Sequence, residues 1–543
     1  MVFALGASAF AATNSLETDY AIGNGLGVSV DLDIEGMYFD YPDILNTATN
    51  GYYPFSFSLI VSNRAKVASV TVSNGGSFHW AYAQNADGSY VTDEDGNYVE
   101  STTTNYGVVV LPTTSASTVT VTGTGNIGSA TFNCAQPSGG TTAAGASLYA
   151  YLPAPAQFVN EGVTTGGWGD AYDSNGAVKA TSSTGVSLGF FGGYAVYEFE
   201  NPIADDPTHP YGADFIVYGN AFWNNSEAGC IQVSKDGATW YDIAGSMYYT
   251  KSTKGATITY TNPSTSEDAG ITAAGTNLGT LAPVNYTLNG TAGTVTTNTF
   301  HNHSWFPLNA NYFTASGSRA AMAKLDEFSF VSRTLASNGV TNTLTFTGTL
   351  LTDYPGTGKT DQIGFGYCDV HPNKTLGGTI AYNPYQTFTS SSDYDTKVAG
   401  TSGGDPIDIA WAVKSNGTPA NLDSIRYVRI YTGMAQMNGI FGEISTEVCG
   451  VAACTGSTTE TAATPTISVD GSTVTTTNGG ILPLSKKSGD YTVNVTGTGY
   501  VYINGVATTS ATITPTRTGT KVQIIVQNGE AAPYVTYLNL QKK

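Results

Sequence analysis

The chain holds 543 residues of which 11% are charged, 41 acidic against 21 basic, for a net charge of −20 and a pI near 4.4. An ordinary soluble domain is about 25% charged, so Leu, Glu, Lys and Arg are too scarce here to write coiled-coil heptads. The acidic balance argues against phosphate backbones and anionic membrane surfaces as partners. A hydrophobic fraction of 41%, with 64 Gly and 34 Tyr, still suffices to build cores.

Residues 1–12 form an apolar stretch ending in small residues, and both Ala7-Ser8-Ala9 and Ala9-Phe10-Ala11 fit an export-signal cleavage pattern. The positively charged start of such a signal is missing, which is the form expected of a leader remnant. No later stretch approaches the roughly 18 apolar residues a membrane span needs. The expectation is an exported protein at the cell surface or outside the cell.

From there the chain is written in short alternating runs. Gly27-Val28-Ser29-Val30-Asp31-Leu32, Val67-Ala68-Ser69-Val70-Thr71-Val72 and Thr343-Leu344-Thr345-Phe346-Thr347 are examples. Period-two runs rich in Val, Thr, Tyr and Phe between Gly, Asn and Asp turns predict an all-β, multi-domain chain of sandwich or jelly-roll type. Residues 13–143 read as an N-terminal β domain, closed by the flexible composition around Gln136-Pro137-Ser138-Gly139-Gly140. Within it, Asp93-Glu94-Asp95-Gly96-Asn97 lacks the ligand ladder of a calcium loop and reads as a hairpin tip.

Residues 144–456 form a central jelly-roll domain that carries most of the Trp and all but one of the His. Gly185-Val186-Ser187-Leu188-Gly189 matches a hydrolase motif, but more β sequence follows it where that motif needs a helix. His301-Asn302-His303 has no nearby Cys, Asp or Glu to complete a metal set and reads as a turn. Ala320-Ala321-Met322-Ala323-Lys324-Leu325 is the best helical pattern. Gly356-Thr357-Gly358-Lys359-Thr360 resembles a phosphate-loop end, but Asp353 stands where the motif's first glycine belongs, so it is a polar turn. Cys449 and Cys454 are spaced to close a small loop. Residues 463–543 then form a C-terminal Ig-like module of spacer type, whose run Tyr534-Val535-Thr536-Tyr537-Leu538-Asn539-Leu540 is β-prone enough to add to a neighbour's sheet.

The central region gathers acids beside glycines and aromatics, the composition of sheet-end loops where ligands bind. Trp168, Trp223, Trp240, Trp305 and Trp411 are the candidate ligand-binding platforms, and Glu227, Asp236, Asp405 and Asp408 the candidate calcium ligands. Four blocks in this region, "FIVYGNAF…SEAGCIQVSKDGATWYDIAGSMYY", "GFGYCDVHPN", "GDPIDIAWAV" and "FGEISTEV", resemble a family of exported bacterial cell-surface proteins. The resemblance spans roughly residues 150 to 450. It implies a central fold similar to carbohydrate-binding and discoidin-like modules, with a glycan or a corrinoid-like compound as ligand. This chain reads Ser226-Glu227-Ala228-Gly229 where similar sequences have SEPG, and Gly366-Tyr367-Cys368-Asp369 where they have GYAD; neither departure removes an acid.

The leading expectation is therefore a non-enzymatic exported protein that binds an extracellular ligand or cell-surface polymer. The alternative is a structural subunit of a surface layer or filament, a homo-polymer joined by β contacts. A two-carboxylate glycosidase is a third possibility, but no spacing singles out such a pair.

Overall fold

A computed structural model describes residues 20–543 except 24–25, 32–55, 75, 84–90, 92, 94–98, 111–116, 135–144, 161–168, 170, 172–184, 224–225, 264–281, 299–300, 302–303, 309–327, 338–339, 353–363, 377 and 439–441. The leader remnant, Trp168, most of the acidic tip at 93–97, the helical pattern at 320–325 and the polar turn at 356–360 lie outside the described residues. What is described is all-β, with one α-helix, Ser391–Lys397, capped by the Ser390 side chain. None of its helices is long and apolar enough to cross a membrane.

The chain divides into two compact units. The first comprises residues 1–143 with the short pieces 200–202 and 315–324. Its described strands form a five-stranded sheet from Tyr20–Gly23 to Tyr106–Val110 and Ser77–Trp80, and a three-stranded sheet of Val67–Val72, Ser117–Gly123 and Ser129–Cys134. In Ser117–Gly123 burial alternates strictly, with Val119 and Val121 inward and the threonines between them facing out, as a half-buried strand requires.

The second unit holds the central region and the C-terminal module together. Its main sheet runs Ala412–Val413, Tyr241–Ile243, Gly229–Ser234, Ser424–Thr432, Tyr194–Ala204, Ser147–Leu152. The middle strands are buried along nearly their whole length. Arg429 lies inside this sheet, fully buried. Its guanidinium sits 3.6 Å from the Phe330 ring centre and 4.2 Å from that of Tyr431, and donates to Gln232 Oε1 at 2.7 Å. Asp242, half-buried, is an opposing charge nearby, and it accepts hydrogen bonds from Gln232, Tyr248 and Thr349. A five-stranded sheet is centred on Ser252–Thr261 and Thr341–Leu351, and a three-stranded one comprises Asp405–Ile407, Phe215–Tyr218 and Gly450–Ala453.

The C-terminal module is a sandwich of its own. Ile467, Val469, Val493 and Val495 from a four-stranded sheet pack against Val522, Ile524, Val526, Leu538 and Leu540 from a five-stranded one. Its last strand, Tyr534–Lys542, lies inside that sheet, antiparallel to Thr520–Gln527 and parallel to Ile481–Lys486. The β-prone run at 534–540 is thus paired on both sides within its own module and is not an open edge for a neighbour. The module is seated on the central region through Tyr502, whose hydroxyl donates to Tyr385 O at 3.0 Å and whose ring meets Phe365 at 5.2 Å. Asn504-Gly505 forms the adjoining two-residue hairpin turn, with φ of 51° and 75° as a type I′ turn demands.

Cys449 and Cys454 are free. The strand Gly450–Ala453 runs between them, and at about 3.3 Å per residue it holds the two far beyond the roughly 7 Å Cα limit of a disulfide.

A candidate cation centre beneath an aromatic loop

Residues 219–227 connect two buried strands, Phe215–Tyr218 and Gly229–Ser234, and both ends of this connection are fixed by one residue. Asn220 N donates to Asp369 Oδ1 at 2.8 Å, and Glu227 N donates to the Asp369 carbonyl at 3.1 Å. Just beyond, Gly229 and Cys368 exchange backbone hydrogen bonds of 2.9 and 3.1 Å. Asp369 is fully buried, with a left-handed φ of 57° that turns its carboxylate under the loop. Its Oδ2 accepts from Glu447 N at 3.0 Å.

Glu447 comes from the short pairing of Glu447–Val448 with Val186–Ser187. Ser187, the serine of the hydrolase-like motif, is buried in this pairing and donates through Oγ to Glu447 Oε1 at 2.6 Å, beside Ser445 Oγ at 3.1 Å. It orients a carboxylate, and no helix follows it.

One carboxylate oxygen each of Glu227, Asp369 and Glu447 lies within 4.8 Å of the others. Asp369 and Glu447 are buried and Glu227 is half-buried. Burial raises the proton affinity of all three. For Glu227 the charges of Glu447 and Asp369 add to it, whereas Ser187's hydrogen bond opposes it at Glu447. Nearby Glu443 is pushed up to about 8, chiefly by burial; its Oε1 accepts from Gln157 N at 3.3 Å while its Oε2 has no partner. Among the described residues, no Lys or Arg forms an ion pair with any of these four acids. Such a group either shares protons or holds a hard cation through its oxygens, and calcium suits an all-carboxylate set.

In the same connection, Phe222 is 60% exposed. Trp223 beside it is half-buried against the cluster of Tyr382, Phe388, Tyr394 and Val398, 6.3 Å from the Tyr394 ring.

The sequence candidates separate in the fold. Of the four acids, Glu227 joins the centre just described. Asp236 closes its own turn, its Oδ1 accepting from Ala238 N and Thr239 N. Asp405 is bound to the amides of Val370 and His371 and, at 2.9 Å, to His371 Nδ1. Asp408 belongs to a different acidic group, with Asp205 and Asp214. The four therefore do not form one calcium site. Among the aromatics, Trp305 and Trp411 are fully buried and Trp240 is 6% exposed. Each has its indole N–H satisfied internally, by His301 O, Tyr385 Oη and Gly237 O respectively, so these three rings are core and not platforms. Asp369, Glu447 and Phe222 were not among the candidate site residues read from the sequence. All three lie in the quoted blocks, but nothing in the spacing of those blocks says that they meet.

Set against known proteins, the sequence matches no family model and no curated protein.

Proposed function

We propose that this chain is an exported, non-enzymatic cell-surface protein that binds an extracellular ligand, a glycan or a corrinoid-like compound, through an aromatic loop whose shape a calcium ion sets. The observation that carries this reading is the connection at 219–227. Asp369 ties it at both ends, three carboxylates lie beneath it, and it presents Phe222 to solvent beside Trp223. An ion bridging Glu227 to Asp369 and Glu447 would hold the loop's two ends together, and the exposed ring supplies an apolar face for a sugar or a corrin. The small-residue pattern at the N-terminus and the low surface charge support export.

The test is binding of the purified chain to glycan and corrinoid panels in calcium chloride and in chelator. Calcium-dependent binding is expected, reduced at least about tenfold by Phe222→Ala without change in melting temperature. Silence across both panels, or binding indifferent to both calcium and Phe222, overturns the reading.

A further inference from the structure

The second acidic group stands at another sheet end. The strands Phe215–Tyr218 and Asp405–Ile407 pair antiparallel with Phe215 opposite Ile407, so Asp214 and Asp408 leave the sheet side by side. Asp205 arrives from the end of Tyr194–Ala204. One carboxylate oxygen of each lies within 4.8 Å of the other two.

Two of these acids are tightly committed. Asp214 accepts from Asp206 N and His209 Nδ1, both at 3.1 Å, through Oδ1, and from Ile409 N at 2.9 Å through Oδ2. Asp408 Oδ1 caps the turn Ile409–Trp411 by accepting from Ala410 N at 2.7 Å. Its Oδ2, however, has no hydrogen-bond partner, although Asp408 is only 1% exposed. A buried carboxylate oxygen without a partner is costly and calls for an ion or a water. Among the described residues His209 is the basic side chain facing the group, and its ring nitrogens are already divided between Asp214 and Asp206. Asp205 is half-exposed and leaves a route in from solvent.

The loop over this group carries the C-terminal module. Tyr211 N donates to Glu530 O at 2.7 Å. Gly212, at φ 72°, is so enclosed that a Cβ there would lie 2.9 Å from Asp408 Oδ2 and 2.6 Å from Pro533 Cδ. A single backbone thickness thus separates the unpartnered oxygen from the module.

We propose that Asp205, Asp214 and Asp408 bind a hard divalent cation of the calcium type, and that this ion fixes the loop at 210–212 and so seats the C-terminal module on the central region. Three carboxylates supply the oxygen-only donor set such an ion takes, with water completing the shell. The site is separate from the Glu227 centre and does not depend on the reading given to it.

The test is hydrogen exchange on the full chain, stripped with chelator and then titrated with calcium chloride alone. Calcium is expected to slow exchange of the Tyr211 amide by about tenfold or more in the unaltered chain and in Glu447→Gln, but not in Asp408→Asn. Unchanged protection of Thr520–Gln527 shows that the variant is folded; should it not fold, Asp205→Asn at the exposed edge gives the same reading. Exchange at Tyr211 that ignores calcium in the unaltered chain, or that calcium slows in the Asp408 or Asp205 variant as much as in the unaltered chain, overturns the proposal.

Discussion

Replacing Glu447 by Gln keeps the side chain's shape and its acceptor for Ser187 but removes one of the three charges gathered at Glu227, Asp369 and Glu447. Two carboxylates at the 4.8 Å limit of this group repel by about 3.5 kcal/mol at an effective dielectric of about 20. Protonation of one acid relieves part of that, so in chelator at pH 7 Glu447→Gln is expected to stabilise the protein by about 1–3 kcal/mol. With calcium at 100 times its dissociation constant, the unaltered protein gains about 2.7 kcal/mol that the variant largely forgoes. The variant's advantage in chelator should therefore shrink by about 2 kcal/mol or more in calcium, inverting the order where that advantage is below about 2 kcal/mol. Urea unfolding followed by tryptophan fluorescence, with chelator and with calcium chloride, measures both arms. A variant that is the less stable in both conditions, or one whose difference from the unaltered protein ignores calcium, refutes a cation centre at these residues.

Glu443 supplies a pH test in chelator. Its carboxyl is raised from 4.5 to about 8 by burial, so the folded state holds its proton more tightly than the unfolded state. That contribution is complete below about pH 4.5 and is lost as pH rises towards 8, at up to about 1.4 kcal/mol per pH unit. Glu443→Gln should accordingly gain on the unaltered protein between pH 5 and pH 8 in urea melts; a difference independent of pH refutes the assignment. Arg429→Ala removes a fully buried side chain packed on Phe330 and Tyr431 and is expected to cost about 3–5 kcal/mol by the same melts, and a cost below about 1 kcal/mol would contradict it. Gly505→Val forces a β-branched residue to φ 75° and drives its Cβ into the Ser246 carbonyl. It should raise protease sensitivity around residues 500–507 through about 1–3 kcal/mol of backbone strain plus lost seating; unchanged cleavage would show that the turn is not confined.

The β class was legible because the strands obey the period their burial requires. In Thr341–Leu351, Leu344 and Phe346 point in and Thr343, Thr345 and Thr347 lie half-buried on the opposite face, as the alternation says. The acidic centre was not legible in the same way. Glu227 and Asp369 come from two separate connections and Glu447 from a short strand, and only the tertiary fold brings them together. Glu227 was picked out as an acid of a glycine-containing turn, whereas Asp369 and Glu447 lay in blocks of the same character and were not counted among the candidate ligands. The tryptophans misled for a different reason. Trp240 and Trp305 satisfy their indole N–H groups on carbonyls three and four residues back, so a polar, glycine-rich neighbourhood was no sign of an exposed ring. Cys449 and Cys454 suited a small loop by spacing, and the intervening residues are extended instead.

The position of Tyr534–Lys542 between two other strands governs when its sheet can form. Ile481–Lys486 finds its pairing partner only in this strand, and the Thr520–Gln527 strand gains its second partner there as well. During synthesis, therefore, Ile481–Lys486 must wait unpaired until residues up to 542 have emerged, and its closure then joins segments far apart in sequence, which is slow. A cut or an inserted tag within this strand would not trim an end; it would split the sheet down its middle.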